Sequence, residues 1–170
     1  MGLIQNDLND MLNDLVTKCF AINRMLDRGV NVLGIKFKMA QASDIIHHRI
    51  AHAYLGEEFA DGIAAYQTSR NNLTIYGQTP IGDKDYIAPI DFIKDYYNEN
   101  IELQDMISDA VDKAIEVGDH TTKVFLDGFL TTVAKYTAVA ITLLDLFEDY
   151  GSDTFHLQVL DSVIEKYINV

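Results

Sequence analysis

Apolar residues recur at three- and four-residue steps along most of the chain. Between Leu3 and Arg28 the positions Ile4, Leu8, Leu12, Leu15, Cys19, Ile22 and Leu26 fall on one stripe, while Asn6, Asp10, Asn13, Asp14 and Lys18 cover the opposite face. That spacing predicts a first long helix, with Gly29 as its C-terminal cap. Gly29 to Lys36 holds two glycines and an asparagine and is expected to be a tight connection. The helical pattern resumes near Phe37 through Met39, Ile46, Ile50 and Tyr54. It is expected to continue to about Tyr66, passing through Gly56 and Gly62.

The pattern then lapses. Gln67 to Ala88 is sparse in apolar residues and holds Asn71, Asn72, Gly77, Pro80 and Gly82, which predicts a long crossover with one short helical turn around Arg70 to Tyr76. Pro89 suits the first turn of a third helix, and Gly118 closes it. Asp119 then caps a fourth helix that ends at Gly151. The fourth helix is apolar on more than one side, as expected of an element that touches a second subunit as well as its own core. Ser152 or Asp153 caps a fifth, shorter helix reaching about Ile168. Four long helices joined short, long, short form a bundle with one crossover, the ferritin-like arrangement. The expected fold is therefore all-α: a ferritin-like four-helix bundle over residues 1–150, with a long crossover between helices two and three, and a C-terminal helical extension over 151–170.

Composition narrows the function classes. The 170 residues are 48% hydrophobic and 23% charged, enough for one domain with an ordinary core. The formal charge is −13, and the lysines and arginines are scattered, so direct DNA binding is expected to be weak or absent. The same charge attracts cations. Cys19 is the only cysteine, which excludes an internal disulfide framework and a thiolate zinc site. The first ten residues carry no basic stretch followed by an apolar core, and the most apolar run, Thr137 to Leu144, is too short to span a bilayer. A cytoplasmic chain that makes no use of a membrane is expected.

Candidate metal ligands concentrate on the second helix. Glu57 and Asp61 are four apart, so on a continuous helix their carboxylates share a face. Asp44, His47, His48 and His52 form the densest cluster, with Asp44 spaced to share a face with His47 or His48, and His48 with His52. The competing readings are a solvated acidic face and surface histidines. The Glu-x-x-His signature of di-iron bundles is missing, so an iron centre inside one subunit is not expected. Asp119 is an N-cap, and His156 a surface residue.

At the first turn the sequence Asn31-Val32-Leu33-Gly34-Ile35-Lys36-Phe37 resembles the Asn-Val-x-Gly-x-x-Phe centre of a motif in the Dps mini-ferritins (DNA protection during starvation). The family's two flanking histidines fall on Gly29 and Gln41. Its Asp-x-x-Ala-Glu-Arg motif is matched loosely by Glu57-Glu58-Phe59-Ala60-Asp61-Gly62, and Asp119 to Leu126 is similar to the start of its last helix. The resemblance implies a hollow homo-oligomer, a dodecamer, that oxidises Fe(II) with peroxide or oxygen and stores ferric mineral, protecting against oxidative stress. With both histidine positions vacant, it also implies that the usual ferroxidase site is degraded. Iron is then the expected metal, with Glu57, Asp61, Asp44, His48, His47 and His52 as its candidate ligands. The alternative is a non-catalytic ferritin-like structural or interaction protein.

Overall fold

The computed structural model describes residues Met1–Val170, and every regular element is helical. Helix α1 (Asn6–Ile35) opens on Gln5, whose side chain accepts from the Leu8 amide at 3.2 Å. Its stripe of Leu8, Leu12, Leu15, Cys19, Ile22 and Leu26 is wholly buried. The helix does not stop at Arg28, as the glycine had suggested, but runs about two turns further. Gly29 is instead an interior position pressed against α4: a Cβ there would lie 2.0 Å from Cδ2 and Cε2 of Phe92. The chain reverses over Lys36–Met39, with Lys38 in the left-handed region at φ 59°.

The expected second helix is in pieces. α2 (Ala40–Ile45) widens into a π-helical stretch, Ile46–Ala51, tightens into a 3-10 turn, His52–Leu55, breaks over Gly56–Phe59 and resumes as α3 (Ala60–Ser69). Phe59 has φ −132° and ψ −110°, outside any helical region. Its ring is fully buried and stacked on Tyr54 at 4.2 Å between centroids. The break also folds the Glu57 carbonyl back over α3, so closely that a Cβ on Gly62 would sit 2.1 Å from that oxygen. Periodicity could not reveal this, because both segments keep a helical spacing of apolar residues on either side of the break.

α4 (Pro89–Glu116) and α5 (His120–Tyr150) are antiparallel neighbours, joined through Gly118 at φ 72° and capped at Asp119, whose Oδ1 accepts from the Thr122 amide at 3.0 Å. α4 also runs antiparallel to α1. Lys18 meets Glu99 and Glu102 at 2.6 and 2.8 Å, and eleven residues further along α1 the Phe92 ring covers Gly29. By composition and length α5 could cross a bilayer. In the fold its Leu126, Phe129, Val133, Leu143 and Phe147 are buried in the bundle core.

Residues 72–88 carry no helix, and the short turn expected near Arg70 to Tyr76 does not form beyond the end of α3. The crossover lies along α1 and runs parallel to it. Asn9 donates to the Leu73 carbonyl, Asn13 and Thr17 accept from the amides of Ile75 and Gly77, and Arg28 and Lys36 donate to the carbonyls of Lys84 and Tyr86. The lengths agree. Asn9 to Lys36 spans ~40 Å of helix at 1.5 Å per residue, and Leu73 to Tyr86 reaches about the same at ~3.3 Å per extended residue. The polar face of α1 therefore serves the crossover's backbone rather than water alone. Asn13 is buried there, where its Oδ1 also accepts from Gln67 at 2.9 Å.

The fifth helix, α6 (Thr154–Val163), is capped by Asp153 and ends in a 3-10 turn, Ile164–Tyr167. It is fastened to the start of α2. Met39 offers that helix no side-chain cap, and Asp161 supplies one from across the fold, its carboxylate accepting from the Ala42 and Gln41 amides at 2.7 and 3.3 Å. Arg49 adds an ion pair to Glu165 at 2.7 Å.

Candidate metal-binding sites

In a di-iron bundle the middle of the core is lined by carboxylates and histidines from all four helices. Here that level is aromatic. Tyr54 from the 3-10 turn, Tyr96 and Asn100 from α4, and Tyr136 from α5 meet beside Phe59. The Tyr54 hydroxyl donates to Asn100 Oδ1 at 2.5 Å and lies 3.2 Å from the Tyr96 hydroxyl, which is 3.4 Å from the Tyr136 carbonyl. Asn100 donates in turn to the Tyr96 carbonyl at 3.1 Å. Each hydroxyl has one proton to give, so the set is a closed network of neutral groups. Burial pushes Tyr54 and Tyr96 well above the usual phenol range and does the same to the Cys19 thiol, which leaves all three protonated. Asp161, away from this level, is the one buried carboxylate in the protein. The two glutamates of α4 that face α1, Glu99 and Glu102, are held by Lys18; burial lowers the pKa of that lysine, and the two hydrogen-bonded carboxylates more than reverse the effect. Among the buried side chains at this level there is no carboxylate and no imidazole.

The histidines lie outside it. His47 and His48 are in the π-helical stretch and His52 starts the 3-10 turn. Their ligand atoms all fall within 4.8 Å of one another, and no other group of three or more histidine, cysteine or carboxylate side chains is gathered so closely. Ring centroids are 4.2 Å apart for His47 and His52, 4.9 Å for His47 and His48, and 5.4 Å for His48 and His52. His47 is half-buried, with Nδ1 2.8 Å from Asp27 Oδ1 on α1, and the other two are exposed. Asp44 stands beside the group, its Oδ1 3.4 Å from His48 Nε2. Of the two partners expected for Asp44 it meets His48, while His47 turns to Asp27, and the expected His48–His52 pair forms. The His47–His52 contact, the shortest of the three, had no counterpart in the helical spacing.

The Glu57–Asp61 pair fares differently. Glu57 lies in the break and Asp61 in the first turn of α3, so the shared face of a continuous helix does not exist. Both are exposed, and neither joins the histidines. Glu57 and Glu58 instead border a groove between the break and α5, with Gly62, Val124, Gly128 and Thr132. Burial, with the Glu58 carboxylate alongside, pushes the Tyr136 phenol up to about 12. Asp119 is an N-cap that also accepts from the Thr122 hydroxyl at 2.6 Å, and His156 is an exposed partner of Asp153. Two residues that take part in the histidine site, Asp27 and Asn23, carry no signal in the sequence, since each is one more polar residue on a polar helix face.

The sequence matches no family model and no curated relative. Among solved structures, a humanized archaeal ferritin superposes with a TM-score of 0.83 at 16% identity, covering 98% of each chain. An open-pore ferritin from the hyperthermophilic archaeon Archaeoglobus fulgidus superposes with a TM-score of 0.80 at 16% identity, covering 98% of this chain and 99% of its own. The correspondence takes in the crossover and α6 as well as the four long helices: the chain has the ferritin-like fold.

Proposed function

We propose that this chain is the subunit of a hollow ferritin-like shell that takes up and holds iron, and that it does so without an iron-oxidising centre in its bundle. The observation that carries the reading is the end-to-end correspondence with two ferritins. The net charge of −13 suits a shell that gathers cations. Self-association is supported by the crossover. Along this segment Leu73, Ile75, Tyr76, Ile81 and Ile87 are exposed. So many large apolar side chains on one connection are more than a monomer ordinarily shows, and a two-fold interface would cover them with the same segment of a second copy. The resemblance at Asn31 to Phe37 makes twelve copies the size we propose, as in the mini-ferritins that guard against oxidative damage. Glu57, Asp61 and Asp44 then meet iron as exposed oxygen donors, which suit a hard cation.

The neutral Tyr54–Tyr96–Asn100 core favours a second reading, a ferritin-like structural protein that has lost metal chemistry. Anaerobic Fe(II) loading followed by peroxide, with ferric absorbance and particle mass read together, separates the two. Iron travelling with a particle of twelve or more 19.1 kDa chains supports the first. The same particle without iron supports the second, and a monomer or dimer overturns the shell.

A further inference from the structure

The geometry points to a mononuclear binding site for a divalent transition metal of the zinc, cobalt or nickel type at His47, His48 and His52, held ready by Asp27 and Asn23 of α1. It stands apart from iron storage and does not depend on it. The backbone is what makes the site. Residues five apart on an α-helix point ~140° away from each other at 3.6 residues per turn. In a π-helical turn, hydrogen bonds run from i to i+5 and bring such residues one above the other. Ile46–Ala51 is wound this way, and it is what brings the His47 and His52 rings together edge-on, while His48 and His52 are four apart. π turns are costly and concentrate at functional sites.

α1 supports the arrangement twice, from positions one turn apart. The Asn23 side chain donates to the Ala51 carbonyl at 2.7 Å, where the wide turn passes into the tight one. Asp27 Oδ1 lies 2.8 Å from His47 Nδ1. A carboxylate accepts only, so the proton sits on Nδ1 and the Nε2 lone pair is free for an ion. This carboxylate–imidazole pairing orients metal-ligating histidines and raises their basicity. Asp44 Oδ1 stands 3.4 Å from His48 Nε2, which leaves Nδ1 of that ring to face the ion. Three imidazole nitrogens with an open fourth position match zinc and its neighbours, which accept nitrogen readily, better than iron's usual oxygen-rich sets. Nitrogens bonded to one tetrahedral ion at ~2.0–2.1 Å lie roughly 3.3 Å apart. The cluster, within 4.8 Å, closes to that spacing by rotation of His48 and His52, which are exposed and free to turn, onto the anchored His47.

The test is titration of the untagged full-length protein with Co2+, read by the visible absorption of tetrahedral cobalt, and with Zn2+ by calorimetry. One equivalent per chain is expected, with tetrahedral cobalt bands. His47→Ala or His52→Ala removes it, and Asp27→Asn weakens it by ~10–100-fold, the usual cost of losing an orienting carboxylate. His156→Ala, exposed and outside the cluster, leaves it unchanged. Thermal unfolding in EDTA checks that all variants fold alike, and added Zn2+ raises the melting temperature of the parent but not of the triple variant His47→Ala/His48→Ala/His52→Ala. Equal binding by parent and triple variant, or no stoichiometric binding by the parent, overturns the proposal.

Discussion

Replacing Tyr54 by Phe tests whether the middle of this bundle is a structural network in place of a metal centre. Tyr54 and Asn100 are both wholly buried, and the only donor to Asn100 Oδ1 is the Tyr54 hydroxyl at 2.5 Å. Phe keeps the ring contacts with Phe59, Tyr96 and Tyr136 and strands that oxygen. A hydrogen bond of this kind contributes about 1 kcal/mol net, and an orphaned buried acceptor costs about 1–3 kcal/mol, so Tyr54→Phe should cost ~2 kcal/mol. In a chain of this length that is roughly 4–8 °C in melting temperature. Asn100→Leu removes the acceptor and leaves the Tyr54 hydroxyl able to turn to Tyr96, 3.2 Å away, at a smaller cost. The double variant has neither partner and should be more stable than the sum of the single changes predicts, with a coupling of about 1 kcal/mol. Chemical denaturation followed by circular dichroism, at one fixed protein concentration, measures all four corners of the cycle. Strict additivity, or a Tyr54→Phe cost near zero, would refute the network.

Other outcomes follow from the same contacts. Gly29→Ala gains up to ~1 kcal/mol in helix propensity but drives a methyl into the buried Phe92 ring, where overpacking costs ~1–3 kcal/mol; thermal melts should show a net loss that Phe92→Leu relieves. Asp161→Ala uncaps α2 from across the fold and should cost about 1–2 kcal/mol, with hydrogen exchange of the α6 amides accelerating before that of α4. Above pH ~10 the unfolded chain ionises its tyrosines while Tyr54 and Tyr96 stay neutral in the fold. Unfolding then releases protons, so stability is complete below that pH and declines above it by ~1.4 kcal/mol per pH unit for each of the two; alkaline denaturation curves of the parent and Tyr54→Phe should differ by one such increment. Ile75→Lys with Ile81→Lys places charge among the exposed apolar side chains of the crossover and should yield a smaller species in sedimentation velocity without loss of helicity.

The bundle, the crossover, the Asp119 and Asp153 caps and the added C-terminal helix were all legible from apolar period and turn residues. What escaped was decided by contacts between distant segments. Gly29 looks like a cap because a glycine after an amphipathic run usually is one; only the packing of α4 reveals that Phe92 needs the space. Gly56 to Phe59 looks helical because Tyr54, Phe59 and Ile63 keep a helix-compatible spacing, and the break goes together with burial of the Phe59 ring on Tyr54. The candidate site was half readable. Three histidines within six residues drew notice, but their convergence depends on a π turn that has no local signature and on Asn23 and Asp27, some twenty or more residues away. The same reasoning placed Glu57 and Asp61 together on a helix that is interrupted between them.

Metal is expected to bind outside the bundle core, at the histidines of the π turn. An anomalous difference map from crystals of the full chain equilibrated with Zn2+ tests this directly. The expected result is one strong peak per chain between the imidazoles of His47, His48 and His52, and none beside Tyr54, Tyr96 and Asn100. A peak in that aromatic core, or no peak at the histidines, would contradict it.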